Sequence, residues 1–257
     1  MRVHWMIYGV QAKLNGKRLI CICAVTIEMA NITSLKISGY FLQKDLTTAY
    51  IYVLPAIEMT PQAFRSSWTN THEPLSPLSM SRLDRFNLSK ATFEFLNIAG
   101  FPVYCEPNLS FANDTDDIVY GINKLTEQYD FAEDKPKFDK YVVIGSCRDG
   151  DAIAIDTEEN DKVVELDHED GFSSVYFNRS IEALADFLIM YRDFEEEVLQ
   201  DKDPDDNLQI FNFTDDQFEK LKSKMYSVDN RALTERGFWK EELEIMLSIR
   251  QEKFASL

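Results

Sequence analysis

The chain has 257 residues, of which 45% are apolar and 12% aromatic, so its apolar side chains suffice for a sizeable core without disulfide bonds or a metal ion. It contains 44 acidic and 27 basic residues, a net charge of −17, which disfavours binding to nucleic acid and to anionic membrane surfaces because both need cationic contacts. Four cysteines in a chain of this length are too few for a disulfide framework and indicate reduced thiols and a cytoplasmic location.

The first 58 residues differ from the rest in charge. They carry six basic and three acidic residues, a net charge of +3, which leaves −20 on the other 199 residues. A helix start follows, because Thr60 is a good N-cap and Pro61 suits the first helical position. We therefore expect residues 1–58 to be an N-terminal extension, either upstream of a true start at Met59 or poorly ordered, and residues 59–257 to be the functional domain. No segment reaches the roughly 20 apolar residues that a membrane span needs.

Helix and strand signals then follow in chain order. Ser89 is placed as the N-cap of a helix that ends before Gly100. Three short apolar runs, Tyr141–Ser146, Ala152–Asp156 and Lys162–Asp167, are separated by polar turns. Strands joined by such short connections pair in antiparallel fashion, so these runs predict a meander.

Helices are predicted after the strands. Ser180 caps a helix whose apolar residues recur at helical spacing, and Thr214 with Gln217 has the spacing of a capping box. A last helix carries Trp239 and Leu243. Because helices do not alternate with strands, the predicted fold class is α+β, with a mainly antiparallel sheet flanked by helices.

The residue types that catalysis or cofactor binding requires are not grouped in this sequence. Zinc needs about four Cys or His ligands at short spacing, and the chain has three histidines and no C-x-x-C pair. No glycine-rich phosphate loop is present, so we expect no metal and no cofactor. His168 lies among carboxylates that would raise its pKa, but no nucleophile accompanies it. We predict no catalytic residue and keep an enzyme centred on His168 as an alternative.

The strand region carries a recognisable pattern. A strand ends at Gly145, an Asp149-Gly150 turn follows, and the next strand ends at Asp156. Further on, Tyr176-Phe177-Asn178 leads to the helix start at Ser180. This order of features resembles the SUKH superfamily, also called the Smi/Knr family.

A second element upstream narrows the resemblance. The type-four immunity subgroup of that superfamily has an "FL…GLP" element. A similar element occurs here as Phe95-Leu96 followed by Gly100-Phe101-Pro102, with Phe101 in place of the usual Leu. Phe238-Trp239 before a Leu-rich helix agrees with the same subgroup. The resemblance covers residues from about Met59 to the C-terminus.

The resemblance implies a function without catalysis. Members of the family are mostly bacterial immunity proteins that neutralise polymorphic toxins by direct binding, and many of these toxins are nucleases. Nuclease toxins are commonly cationic, so an acidic inhibitor would be steered towards one electrostatically. A fungal relative is a scaffold in cell-wall signalling, and a regulatory scaffold is therefore the alternative function.

The residues that we expect to bind the partner are acids at the strand ends and two aromatic residues that would act as exposed anchors. They are Asp149, Asp151, Asp156, Glu158, Glu159, Asp161, Asp167, Glu169, Asp170, Phe172 and Tyr176. The sequence leaves open the identity of the partner and the oligomeric state.

Overall fold

The structure is a computed structural model that describes residues 5–14, 17–26, 34–37, 40–43, 59–68, 73–133, 135–148, 150–202, 206 and 208–254. The chain divides into two compact units, Met1–Ile57 and Glu58–Leu257. The strands of the first unit are β1 (Trp5–Leu14), β2 (Lys17–Thr26), β3 (Ser34–Ile37) and β4 (Tyr40–Gln43), which pair consecutively in antiparallel fashion. That the functional protein begins at Met59 stays a prediction.

The second unit contains helices and strands in irregular order. Its strands are β5 (Leu75–Ser76), β6 (Phe101–Pro102), β7 (Tyr104–Cys105), β8 (Leu109–Phe111), β9 (Asn123–Lys124), β10 (Tyr141–Ser146), β11 (Ala152–Asp156), β12 (Lys162–Asp167) and β13 (Ser173–Asn178). Its α-helices are α1 (Pro61–Ser67), α2 (Met80–Leu83), α3 (Lys90–Ile98), α4 (Leu125–Gln128), α5 (Ile181–Leu199), α6 (Asp215–Val228), α7 (Arg231–Thr234) and α8 (Phe238–Phe254). None of the helices in the described part of the chain is long and apolar enough to cross a membrane.

The main sheet has seven strands in the order β13-β12-β11-β10-β8-β7, with β9 also paired to β10. Every pairing in it is antiparallel, which confirms the α+β class. The three predicted strands β10, β11 and β12 have the predicted bounds. They form because their β-branched and apolar residues bury both faces of the pleated sheet.

The predicted helix caps are also confirmed. The hydroxyl oxygens of Thr60, Ser89, Ser180 and Thr214 each accept a hydrogen bond from the backbone N–H three residues later, at 3.1–3.3 Å. The side chain of Gln217 in turn accepts from the backbone N–H of Thr214 at 2.9 Å, which completes a capping box. Each cap satisfies an N–H that would otherwise lack an intrahelical partner.

The sheet separates two hydrophobic cores. On one face Val142, Ile144, Ile153 and Ile155 pack with residues from α1, α3, α5, α6 and α8. The alternate residues Val143, Ala154, Val164 and Leu166 face a smaller core, which contains Leu125, Phe138 and Phe172. Because both faces are covered, the sheet itself presents mainly the ends of its strands and the loops beside them.

Glycine shapes one end of this sheet. A Cβ atom on Gly145 would lie 2.1 Å from the carbonyl oxygen of Ser110, so only glycine lets β8 approach β10 closely there. Gly150 has a φ of +83°, a left-handed conformation that the turn between β10 and β11 requires. Gly145 lies in β10 just before the turn at residues 146–151, and Gly150 lies within that turn.

Candidate partner-binding surface

The antiparallel meander places its turns at alternate ends of the sheet. The β10–β11 turn and the β12–β13 turn lie at one end, which we call the 146–151 end, and the β11–β12 turn lies at the other. The predicted acidic residues are therefore divided between two ends and do not form one surface. Asp151, Asp167, Glu169 and Asp170 lie at the 146–151 end; Asp156, Glu158, Glu159 and Asp161 lie at the opposite end. Asp149 lies outside the described residues.

Two acids at the opposite end are buried, which corrects the prediction that they form an exposed acidic surface. Asp156 is 1% exposed and accepts a 2.8 Å hydrogen bond from the Lys140 ammonium group. Asp161 is 4% exposed, and its carboxylate accepts from the backbone N–H of Ser89 at 2.6 Å. Both carboxylates therefore stabilise contacts between segments of the fold that are distant in sequence. Glu158 and Glu159 remain exposed.

The prediction of Phe172 and Tyr176 as exposed anchors is also wrong. Phe172 is 8% exposed and packs in the smaller core, with its ring 4.8 Å from that of Tyr129. Tyr176 is half-buried, its hydroxyl donates to the Asp229 carboxylate at 3.0 Å, and the Arg231 guanidinium lies 4.1 Å from its ring centre. Neither aromatic ring is therefore fully exposed for contact with a partner protein.

The 146–151 end contains a cleft rich in acidic side chains, which we call the acidic cleft. Its volume is about 360 Å³, and it is lined by Asp151, Glu165, Asp167, His168, Glu169, Val175, Arg236, Gly237 and Glu241. Five carboxylates thus face one guanidinium and one imidazole. Burial and the neighbouring Asp151 and Glu241 carboxylates raise the pKa of Glu165 to about 7. Burial contributes most to this raised pKa, and the two neighbouring carboxylates add to it.

Asp151 is 8% exposed, which corrects its prediction as part of an exposed acidic surface, and its carboxylate holds His168 at the edge of this cleft. The ring Nδ1 of His168 lies 2.6 Å from Oδ1 of Asp151, and the His168 backbone N–H donates to the same oxygen at 2.8 Å. The hydrogen bond to Asp151 raises the pKa of His168, as the sequence predicted. The imidazole therefore joins the two turns of the 146–151 end, and an acid–base role for it stays an untested alternative.

One group of side chains offers metal ligands. Ligand atoms of Cys147, Asp151 and Glu165 all lie within 4.8 Å of one another. The thiol of Cys147 is itself 3.7 Å from a Glu165 oxygen, within range of a weak S–H···O hydrogen bond. A structural zinc site needs four ligands, and His168 Nδ1, which also lies beside Asp151, is hydrogen-bonded to that residue. The same geometry thus serves as a hydrogen-bonded link between the strands.

A second cleft borders the same turn, and we call it the Glu195 cleft. Its volume is about 560 Å³, and Cys147 and Arg148 of the turn form part of its wall. A neighbouring cavity of about 520 Å³ shares Glu106, Asn108 and Glu195 with it. Burial and the neighbouring Glu106 and Glu242 carboxylates raise the pKa of Glu195 to about 8.

Three exposed side chains beside this cleft were not predicted from the sequence. Tyr104, Val119 and Tyr120 are 55%, 62% and 57% exposed, and all three line a cavity of about 240 Å³ that also borders Ser146 and Gly150. We call them the Tyr104 patch. The signal that could have indicated it is the apolar run Ile118-Val119-Tyr120, which directly follows acidic residues and precedes Gly121 in a loop.

The 146–151 end thus combines an acidic cleft, a second cleft with a buried carboxyl group and an exposed aromatic patch. Comparison with protein families gives one match: the family described as "SUKH-4 immunity protein" matches residues 69–245. No curated protein and no solved structure is significantly similar to the chain.

Proposed function

Since the chain belongs to the SUKH-4 immunity protein family, we propose that it neutralises a cationic toxin, of the nuclease type, by binding it directly through the 146–151 end. The protein acts as a stoichiometric inhibitor and not as a catalyst. The observation that carries the proposal is the acidic cleft, in which five carboxyl groups face one guanidinium and one imidazole; they belong to Asp151, Glu165, Asp167, Glu169 and Glu241.

The charge of the whole chain supports the same proposal. A toxin that cleaves nucleic acid needs a positive surface to bind phosphates, and a protein of net charge −17 attracts such a surface over a distance of about one Debye length, roughly 10 Å in moderate salt. The acidic cleft is the local site at which the positive surface of the toxin would make direct contact with this protein. Occupation of the toxin's phosphate-binding surface is sufficient to block its access to nucleic acid.

Co-expression tests this function. The toxin domain encoded beside this gene is expressed alone, with the full-length chain, and with the E169Q/E241Q double variant, in which two exposed acids of the acidic cleft lose their charge. We expect full protection of growth by the wild type and reduced protection by the variant. The matched control is E158Q/E159Q, which removes two exposed charges from the opposite end and should protect fully.

The alternative functions predict different outcomes. A regulatory scaffold captures several unrelated proteins from a lysate and gives no protection against the toxin. An enzyme centred on His168 loses its biological activity in H168A although the variant still binds its partner. Failure of the wild-type chain to protect cells or to bind the toxin domain contradicts the proposed function.

A further inference from the structure

Glu195 lies on α5 beside its buried residues, and its partly buried side chain lines both the Glu195 cleft and the neighbouring cavity of about 520 Å³. Its carboxyl group has no hydrogen-bond donor or cation bound to it among the residues that the structure describes. The charged groups that act on it most strongly are the carboxylates of Glu106, Glu242 and Glu196. A carboxyl group surrounded in this way favours the entry of a cation into the cleft.

The arginines of this chain that line the Glu195 cleft are engaged with other groups. Arg192 donates to the carbonyl oxygen of Ser67 at 2.6 Å and pairs with Asp193 at 2.5 Å. Arg148 pairs with Glu242 at 2.5 Å, and its guanidinium stacks over the ring of Phe238 at 4.8 Å. Because both guanidinium groups are engaged elsewhere, the ionised form of Glu195 is left to pair with a cation from outside the chain.

The walls of the cleft favour a planar cation. The indole of Trp68 and the phenol ring of Tyr104 both line it, and Tyr104 is 55% exposed. A guanidinium group can pair with a carboxylate through its N–H groups while its face packs on an aromatic ring. Arg192 already makes such a contact with Trp68, at 5.5 Å from the ring centre. The exposed ring of Tyr104 offers a second surface of the same kind.

Two residues of the Tyr104 patch, Val119 and Tyr120, line the cavity of about 240 Å³ and are held in place before binding. The Asp117 carboxylate accepts from the backbone N–H groups of Val119 and Tyr120 at 2.8 and 3.1 Å. The buried Asn123 amide donates to the carbonyl oxygens of Ile118 and Gly121 at 3.1 and 3.2 Å. A loop ordered in this way loses little conformational entropy on binding.

We propose that the Glu195 cleft binds an arginine side chain of the toxin, with the Tyr104 patch packed around it as the apolar part of the interface. The inference rests on the proposed function and names one contact of the complex. Exposed carboxylates at Glu106, Asp116 and Asp117 lie beside the cleft or the patch, so the partner surface that fits here is basic around its apolar contact.

Binding of a cation in the cleft changes the protonation of Glu195. Because the pKa of Glu195 is about 8 without ligand, its carboxyl group is largely protonated at neutral pH and releases the proton when a guanidinium binds. The other titratable and charged groups that line the two cavities are Glu73, Tyr104, Cys105, Glu106, Cys147, Arg148, Tyr191, Arg192, Asp206 and Glu242. We therefore expect tighter binding as the pH rises from about 6 to about 8.5, with proton uptake by the buffer.

A small probe tests the site without the toxin. Full-length protein labelled at its carboxyl carbons is titrated with N-acetyl-arginine amide, and N-acetyl-citrulline amide, which is neutral and of the same shape, is the control. We expect the arginine derivative alone to shift the Glu195 carboxyl signal and to lower its pKa by at least about one unit. Equal responses to both compounds, or no response at Glu195, overturn the proposal.

The toxin complex tests the contact itself. We expect E195Q and Y104A each to weaken toxin binding by about tenfold or more, and E195Q also to abolish the pH dependence of binding. The controls are E244Q and Y226A, which change an exposed acid on α8 and a 53% exposed tyrosine on α6. Wild-type affinity in E195Q and Y104A contradicts this inference and leaves the proposed function intact. Absence of toxin binding by the wild type contradicts both.

Discussion

Glu195 is a residue whose position costs stability. It lies four residues after the buried Tyr191 on α5, and its partial burial raises its pKa to about 8. The folded state therefore holds this proton more tightly than the unfolded state, whose pKa is near 4.5. The tighter proton binding stabilises the folded state fully below about pH 4.5. This contribution to the free energy of unfolding is lost as the pH rises towards about 8.

Substitution E195Q should remove this loss. The amide cannot ionise, so the free energy of unfolding of the variant should exceed that of the wild type by on the order of 2 kcal/mol at about pH 9, with little difference near pH 4.5. Chemical denaturation at the two pH values measures the difference. A wild type that is as stable as E195Q at the higher pH contradicts the burial and charge assigned to Glu195.

Asn178 is a motif residue whose role is in the fold. It is fully buried, and its side-chain oxygen accepts from the Trp239 indole N–H at 3.0 Å, which fixes α8 against the sheet. We expect N178A to lower the free energy of unfolding by about 1–3 kcal/mol, because the buried indole N–H loses its acceptor. Exposed Asn87 supplies the control, since N87A should change stability by less than about 0.5 kcal/mol. An unchanged midpoint in N178A would contradict this role.

At the scale of elements, the loop between β8 and β9 carries the Tyr104 patch residues Val119 and Tyr120. The side chain of Asn123 holds this loop through three backbone carbonyl groups, those of Asp117, Ile118 and Gly121. Since Asn123 is 6% exposed, water cannot easily replace these bonds. The loop should therefore be ordered in the absence of a partner.

Substitution N123A should release this loop. We expect faster amide hydrogen exchange at residues 113–121 and a toxin affinity about five- to tenfold lower, because binding must then order the loop. Hydrogen exchange followed by mass spectrometry measures the first effect, and the strands β10–β12 serve as internal reference. Unchanged exchange in the loop would show that other contacts order it.

Much of the element pattern was predictable because its signals are local. The caps at Ser89, Ser180 and Thr214 act within three residues, and the turn at Gly150 depends on its own φ. The division of the predicted acidic residues between two ends of the sheet was also predictable, because successive turns of an antiparallel meander lie at opposite ends. Glu195 could have been placed beside the buried residues of α5, because it lies four residues after Tyr191.

The burial of individual side chains was not predictable, because it depends on residues far apart in sequence. The partner of Asp161 is the backbone of Ser89, 72 residues away, and the partner of Tyr176 is Asp229, 53 residues away. Phe172 is covered by Tyr129 and Phe138, which belong to a segment without clear periodicity. The Tyr104 patch was missed for the same reason, since β7 and β8 have only two and three residues.

At the scale of the whole molecule, the net charge of −17 should control how fast a cationic toxin binds. The association rate constant should fall at least about tenfold between roughly 50 mM and 500 mM salt, because counter-ions screen the long-range attraction. The dissociation rate constant should change less, since it depends on contacts already made. Stopped-flow mixing over a salt series measures both; an association rate independent of salt contradicts electrostatic steering.

The position of the interface is tested most directly by calorimetric titration of the toxin domain into three full-length proteins: wild type, E169Q/E241Q and E158Q/E159Q. Both double variants lose two exposed carboxylates, but at opposite ends of the sheet. We predict one-to-one binding, an affinity about tenfold lower for E169Q/E241Q, which is about 1.4 kcal/mol, and a near wild-type affinity for E158Q/E159Q. Equal losses in the two variants, or a loss confined to E158Q/E159Q, would contradict binding through the 146–151 end.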